Sequence, residues 1–209
     1  MYLGGICFIT DRTYCSLSVY EMASAALNAG IRFIQYRDKD RARREIYNEA
    51  LRLRELTLHF NAVLIINDHA DIALASDADG VHLGQDDLPL KDAKKIMRGK
   101  IVGISTHDRR QALEAEKGGA DYIGFGPVFQ TTTKDAGAPR GIDNLRLIKQ
   151  NVGIPVVAIG GINLHNAADV FSAGAEAIAV ATAVCKGDIS DNTLQFLNLI
   201  SGIERELPQ

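Results

Sequence analysis

The sequence predicts a single (β/α)8 barrel, and three observations carry that expectation. Short apolar runs alternate with longer stretches of helical periodicity, the pattern of repeated βαβ units around a parallel sheet. Eight such runs fit into 209 residues with short connections, at the lower end of the usual size of this architecture. No linker, low-complexity segment or change of composition interrupts the chain, so residues 1–209 are expected to form one domain.

The strands are expected at 6–9, 33–36, 63–66, 80–83, 101–104, 122–125, 156–159 and 177–180. Each is a nearly continuous apolar run, as a parallel strand covered on both faces should be. Helices are expected over 20–28, 41–60, 93–97, 109–117, 143–150 and 165–173, with a short one over 71–76. A last helix over 193–207 would close the ring. Small-residue turns announce several strands: Ala29-Gly30, Asp79-Gly80, Gly118-Gly119-Ala120-Asp121 and Ala173-Gly174-Ala175. Glycine there suits the end of the preceding helix.

Composition bounds the function. Hydrophobic residues make up 46%, enough for a sizeable core, and the formal net charge is −3 with a sequence pI near 5.9. No global basic field exists to attract nucleic acid or an anionic membrane, so any anion site must be a local patch. Cys7, Cys15 and Cys185 are an odd number without metal-ligand spacing, which argues against a disulfide framework and for a reducing compartment. Met1-Tyr2-Leu3-Gly4-Gly5 lacks the charged start of a signal peptide. No apolar run approaches the ~20 residues of a membrane span. The expectation is a soluble cytoplasmic protein.

In this architecture the chemistry sits on the loops that follow the strands. After strand two, Gln35 and Arg37 alternate with Tyr36 and so share one side. Together with Asp38 and Lys39 they offer an amide and two cations that could grip a phosphate, or a solvated cluster opening a helix. After strand three, Asn67-Asp68-His69 offers hard oxygen ligands suited to Mg2+, or a helix N-cap. After strand four, His82-Leu83-Gly84-Gln85-Asp86-Asp87 supplies a second acid, Asp86 or Asp87, that could share the cation with Asp68. His82 lies inside an apolar strand and reads as a hydrogen-bonded core histidine. After strand five, Ser105-Thr106-His107-Asp108 could bind phosphate or cap the next helix. These residues are consecutive, so they diverge and form no Ser-His-Asp triad.

The loop after strand six is the longest. It runs from Gly126 to Gly141 and contains Thr131-Thr132-Thr133-Lys134. Such length favours a functional loop. After strand seven, Gly160-Gly161 precedes a helix, where backbone N–H groups can approach a phosphate. After strand eight come Ala181-Thr182-Ala183, again small. Loops seven and eight form the usual phosphate cradle of this fold. Two neighbouring anion sites follow: a backbone cradle for a monophosphate, and Arg37, Lys39, Lys134 and Mg2+ for a pyrophosphate. That pattern suggests a transferase joining two phosphorylated small molecules.

These residues, in this order, resemble the thiamine-phosphate synthase family. The resemblance rests on Gln35-Tyr36-Arg37-Asp38-Lys39, Asn67-Asp68, the stretch from Ala78 to Pro89, Gly103-Ile104-Ser105-Thr106-His107, Gly119-Ala120-Asp121-Tyr122-Ile123-Gly124, Thr131-Thr132-Thr133-Lys134 and Ala158-Ile159-Gly160-Gly161-Ile162-Asn163. It runs from about Thr10-Asp11-Arg12 to Thr182. It implies coupling of hydroxymethylpyrimidine pyrophosphate to a thiazole phosphate, with release of pyrophosphate. It implies that Asp68 and Asp87 ligate Mg2+. Gln35, Tyr36, Arg37, Asp38, Lys39, Asn67, Ser105 and Lys134 would hold the pyrimidine pyrophosphate, with Arg37, Lys39, Ser105 and Lys134 acting in catalysis. Thr131, Thr132, Thr133, Gly161, Ala181 and Thr182 would hold the thiazole phosphate. Thr182 stands where the family has serine, and the hydroxyl is kept.

Two other readings compete. A thiazole tautomerase on the same fold would need a proton shuttle, for which His107 is the candidate, but neither the pyrophosphate grip nor Mg2+. A non-catalytic phosphate-ligand sensor would bind without turnover. The sequence leaves the oligomeric state open, a homodimer included, and assigns no role to Arg140 or to the three cysteines.

Overall fold

The computed structural model describes residues 3–131 and 137–206. Its centre is a closed barrel of eight parallel strands in sequence order: β1 (Gly5–Thr10), β2 (Phe33–Tyr36), β3 (Val63–Asn67), β4 (Gly80–Leu83), β5 (Ile101–Thr106), β6 (Tyr122–Phe125), β7 (Val156–Ile159) and β8 (Ala177–Val180). Closure is made by β8 on β1, with Gly5 opposite Ala177 and Phe8 opposite Val180. All eight expected strands are present, lengthened at most by a residue or two.

The helices are α1 (Val19–Asn28), α2 (Arg43–His59), α3 (Ala70–Ala75), α4 (Leu90–Ile96), α5 (Arg109–Lys117), α6 (Ile142–Lys149), α7 (Ala167–Ser172), α8 (Thr182–Cys185) and α9 (Ile189–Glu206). The sequence reading lacked α8 and a 3-10 turn at Arg12–Tyr14; both are too short to show a period. It also started the last helix late. That helix begins at Ile189 because Asp188 accepts from the Asp191 N–H at 2.9 Å and starts the helical bonding.

Strand alternation divides the core into two layers. Outward side chains such as Phe8, Ile34, Leu64, Val81, Val102, Ile123, Ala158 and Ile178 pack against the helices. Inward ones, including Cys7, Ile9, Phe33, Val63, Ile65, Tyr122 and Val157, fill the barrel. β8 contributes only Ala177 and Ala179 to that interior. The filling is therefore uneven, and space remains where β8 meets β1 and β7 at the C-terminal end.

The opposite end is built for stability. Asp79 accepts from the Leu64 N–H at 2.8 Å and pairs with Arg54 at 2.9 Å. Asp121 accepts from the Val102 N–H at 2.7 Å and pairs with Lys94 at 2.8 Å. Glu176 accepts from the Val156 N–H at 2.8 Å and pairs with Lys149. In each case an acid at the start of an even-numbered strand fixes the preceding odd strand and receives a cation from the helix before it. The recurring Ala-Asp turn of the sequence is thus a repeated strand-pinning device. Its acids serve the scaffold, in keeping with the stabilising role of that face in (β/α)8 barrels.

Candidate active site

The C-terminal ends of the strands open into a cavity of about 630 Å3. Ile9, Asp11 and Arg37 line it from the β1 and β2 side, Gln130 and Thr131 from the loop after β6, and residues 160–165 and 179–183 from the last two loops. Another cleft, of about 520 Å3, lies at the opposite end beside Lys94, Lys100, Asp121 and Glu176. Those groups are engaged in the strand-start ion pairs and in a Lys100–Asp77 pair, so the cleft offers no unengaged pair of reactive groups.

On the β2 side, Gln35 is 5% exposed and donates its amide N–H to Asn67 Oδ1 at 2.9 Å. The Cys7 thiol lies 3.8 Å from Gln35 Oε1. With its oxygen engaged by Gln35, Asn67 keeps its own amide donors for other partners. Arg37 reaches Asp11 Oδ2 at 3.4 Å, and its backbone N–H donates to Thr10 Oγ1 at 3.3 Å. Lys39 Nζ stands 4.0 Å from Asp68 Oδ2.

Two residues expected to touch the pyrimidine pyrophosphate, Tyr36 and Asp38, have their side chains engaged elsewhere. Tyr36 points outward into the layer between barrel and helices, where it is 1% exposed. Burial, with Asp38 next, pushes its phenol up. Strand alternation, which puts Gln35 and Arg37 toward the mouth, forces this. Asp38 accepts from the backbone N–H groups of Asp40 and Arg41 and pairs with Arg12 and Arg41. Its Oδ1 is held by its own loop, and its Oδ2 faces Arg12 and Arg41.

Asp68 adopts a left-handed backbone, φ 64°, which aspartate tolerates better than most residues. Its N–H donates to the His82 carbonyl at 2.8 Å. Burial first, and the carboxylate of Asp87 second, push the Asp68 carboxyl up from its ordinary value, against the pull of Lys39. Asp87 is the facing acid, and it accepts from the Gly84 N–H at 2.7 Å. Asp86 is exposed beside it. Two opposed carboxylates are a fitting donor set for a hard divalent cation, and a cation between them would offset both the burial and the repulsion that raise Asp68. Among the described residues no group of three or more His, Cys, Asp or Glu converges. The protein would then supply two ligands, leaving the remaining positions to water and substrate oxygens.

His82 is the core histidine that the sequence suggested, at 8% exposure. Its Nδ1 lies 2.9 Å from the Tyr122 hydroxyl and its Nε2 2.8 Å from Ser105 Oγ. Burial pushes its pKa down to about 4, so the ring is neutral near pH 7. The backbone carbonyl of Ser105 accepts from Gln85 at 2.6 Å. The helix α5 is capped by Asp108, which accepts from the Gln111 N–H, so Ser105 is not needed as a cap. His107 turns aside: its Nδ1 donates to the Gly126 carbonyl at 2.7 Å, and it does not line the cavity.

Gly161, Ala181, Thr182 and Thr131 all line the cavity. The loop after β6 runs against the end of β7, with Val128 N–H donating to Ile159 O at 2.8 Å and Phe129 N–H to Gly160 O at 3.0 Å. This close approach explains Gly161. Its φ is 67°, and a Cβ there would fall 2.3 Å from the Gln130 carbonyl oxygen. Thr132, Thr133 and Lys134 lie outside the described residues.

Sequence reasoning missed Asp11, Gln130 and Lys186 on the cavity wall. Asp11 was detectable in principle, as the first acid after β1. Gln130 and Lys186 carry no motif and enter only through the path of their loops.

A family model described as thiamine monophosphate synthase matches residues 6–184. A thiamine-phosphate synthase of Chloroflexus aurantiacus is 53% identical over 183 residues, 87% of this chain and 85% of that protein. One from Methanospirillum hungatei is 48% identical over 200 residues, 94% and 97% of the two chains. The solved thiamine phosphate pyrophosphorylase of Pyrococcus furiosus superposes with a TM-score of 0.90 at 42% identity, covering 95% of this chain and 96% of that one. With a closed eight-stranded barrel, a family match across most of its length and relatives near half identity, this chain belongs to the thiamine-phosphate synthase family.

Proposed function

We propose that the protein is a transferase that couples hydroxymethylpyrimidine pyrophosphate to thiazole phosphate, giving thiamine phosphate and pyrophosphate. The observation that carries this reading is the pairing of two features at one mouth. A cavity lined by Gly161, Ala181 and Thr182 adjoins Arg37, and Lys39 stands beside the opposed Asp68 and Asp87. Family membership supplies the reaction class.

The reaction breaks a C–O bond to pyrophosphate and forms a C–N bond at the thiazole nitrogen. That nitrogen brings its own lone pair, so no general base is required. The demand on the protein is to hold two substrates in line and to stabilise charge growing on the leaving pyrophosphate. In this reading Arg37 and Lys39 meet that charge, with Lys134 as a third cation carried by the family pattern. Ser105 and the Asn67 amide, positioned by Gln35, donate to substrate oxygens or ring nitrogen. Thr131, Thr133, Gly161, Ala181 and Thr182 hold the thiazole phosphate, with Thr132 beside them in the chain. Asp68 and Asp87 would hold Mg2+, which supplies positive charge to the pyrophosphate oxygens. Tyr36 and Asp38 support this site from behind: one packs the strand against the helices, the other fixes the turn that carries Lys39.

The single barrel acts as one domain in this reading. No helix among the described residues is long and apolar enough to cross a membrane. A cytoplasmic location follows from the soluble, phosphorylated substrates and the free thiols. The test is pyrophosphate release on mixing the protein with both substrates, with and without Mg2+. Release that requires both substrates and the metal is expected. Thiazole phosphate binding without any release would overturn the transferase reading.

A further inference from the structure

The barrel interior beneath the mouth contains a hydrogen-bonded row that strand pattern alone does not require. Tyr122, His82 and Ser105 come from three strands, β6, β4 and β5, and meet through side-chain atoms. The barrel makes room for them at two glycines. A Cβ on Gly103 would fall 2.1 Å from Tyr122 Cζ, and one on Gly124 would fall 3.0 Å from His82 Cε1. The Tyr122 and His82 rings stack with centroids 5.4 Å apart and planes at 30°. Phe33 also packs on Tyr122, with the two ring planes nearly perpendicular and centroids 6.1 Å apart. Neither ring can turn away from its partner in so filled an interior.

The direction of the hydrogen bonds follows from burial. Tyr122 is 1% exposed, and burial holds its phenol protonated. Leaving a buried O–H without an acceptor costs about 1–3 kcal/mol, so a phenol proton with an acceptor at hand is held on it. Among the described residues, the partner of the Tyr122 hydroxyl is His82 Nδ1. If Nδ1 carried the ring proton, the phenol proton would face no acceptor. Nδ1 is therefore the acceptor, and a neutral imidazole then carries its one proton on Nε2. That N–H points at Ser105 Oγ, 2.8 Å away.

We propose that Tyr122 and His82 form a relay that fixes the direction of the Ser105 hydroxyl. Tyr122 O–H donates to His82 Nδ1, and His82 Nε2–H donates to Ser105 Oγ. The Ser105 proton is thereby turned toward the mouth, as a donor to substrate. The histidine beside Ser105 is a donor and not a base, so Ser105 is not activated as a nucleophile. His82 and Tyr122 are positioning residues that act through Ser105. The catalytic consequence rests on the proposed contact between Ser105 and substrate; the proton order does not.

The experiment separates the two. A long-range 1H–15N correlation spectrum of the full-length, 15N-labelled protein near pH 7 reads the tautomer of each of the five histidines, with His82→Gln assigning the signal. The Nε2–H tautomer is expected for His82, unchanged in Ser105→Ala, because Tyr122 sets it. In Tyr122→Phe the preference should be lost. The same variant should lower kcat about tenfold, the upper end of what one ordinary hydrogen bond contributes. It should leave the thiazole phosphate KM unchanged and add little on a Ser105→Ala background. An Nδ1–H tautomer in the unaltered protein overturns the relay whatever Ser105 does. Independent, multiplicative effects of Tyr122→Phe and Ser105→Ala also overturn it. Full activity in Ser105→Ala with the expected tautomer would instead overturn the catalytic reading of Ser105.

Discussion

Gly103→Ala is the sharpest probe of how the barrel interior supports the site. The new methyl group would lie 2.1 Å from Tyr122 Cζ, 2.3 Å from Cε1 and 2.6 Å from the hydroxyl oxygen. Ordinary contact begins near 3.4 Å, so the ring must retreat by more than about 1 Å. It is hemmed in by Phe33 at 6.1 Å and by His82 at 5.4 Å between centroids. Overpacking of this kind costs about 1–3 kcal/mol, and breaking the bond to His82 adds about 1 kcal/mol. A total near 3 kcal/mol should lower the melting temperature by about 6–12 °C for a chain of this size. The assay is thermal unfolding of four proteins: the unaltered chain, Gly103→Ala, Tyr122→Leu and the double variant. Leucine lacks the far ring atoms that the methyl group would strike. Tyr122→Leu should therefore be destabilising alone but should make Gly103→Ala nearly silent. Simple additivity of the two losses would refute the argument that Gly103 exists to admit the Tyr122 ring.

Three further outcomes follow from the site. Asp87→Asn should lower turnover by about 10²-fold or more and weaken the dependence on Mg2+; ordinary turnover with an unchanged metal titration would remove Asp87 from the cation site. Lys134→Ala should lower kcat by about 10²–10³-fold, as loss of a donor to developing charge does, with thiazole phosphate binding, measured by calorimetry, preserved. His82 gives a pH signature in stability. Its pKa falls from 6.5 in the unfolded chain to about 4 in the fold, so on acidification the unfolded state takes up the proton first. The stabilisation is fully present above pH 6.5 and is lost between pH 6.5 and about 4, by about 3 kcal/mol in all. Urea unfolding from pH 7.5 to 4.5 should show this loss in the unaltered protein but not in His82→Gln; parallel curves would show that His82 is not held neutral by burial.

Much of the fold was legible because the physics of a parallel barrel is written locally. A strand covered on both faces must be apolar throughout, and runs such as Val63-Leu64-Ile65-Ile66 have no other comfortable place. The missed elements, the 3-10 turn at Arg12–Tyr14 and the four-residue α8, are set by tertiary contacts over fewer residues than any period needs. The site was legible in part for the same reason. Strand ends are fixed by counting, so Gln35, Arg37, Asn67, Asp68 and Asp87 could be placed at the mouth by position. Contiguity alone does not tell the side-chain directions of Tyr36 and Asp38 from that of Arg37. Both sit within the same polar stretch as Arg37, yet Tyr36 turns outward with the alternation of the strand and Asp38 is bound into its own turn.

The Tyr122–His82–Ser105 row was legible only one residue at a time. His82 could be recognised as a hydrogen-bonded core histidine because a lone imidazole in an apolar strand must find partners. Which partners depends on three strands converging, and on glycines at 103 and 124 whose meaning appears only when the opposite side chain occupies the vacated volume. The two ends of the barrel differ in this respect. At the strand starts, Asp79, Asp121 and Glu176 repeat one local device with one sequence signature, and repetition makes it readable. The strand-end stretches Gln35-Tyr36-Arg37, Asn67-Asp68-His69 and Ser105-Thr106-His107 share no such signature. The interior row joins that mouth to the packed barrel. A change as small as one methyl group at residue 103, deep in the scaffold, should therefore register at the Ser105 hydroxyl through two hydrogen bonds, before any residue that touches substrate has been altered.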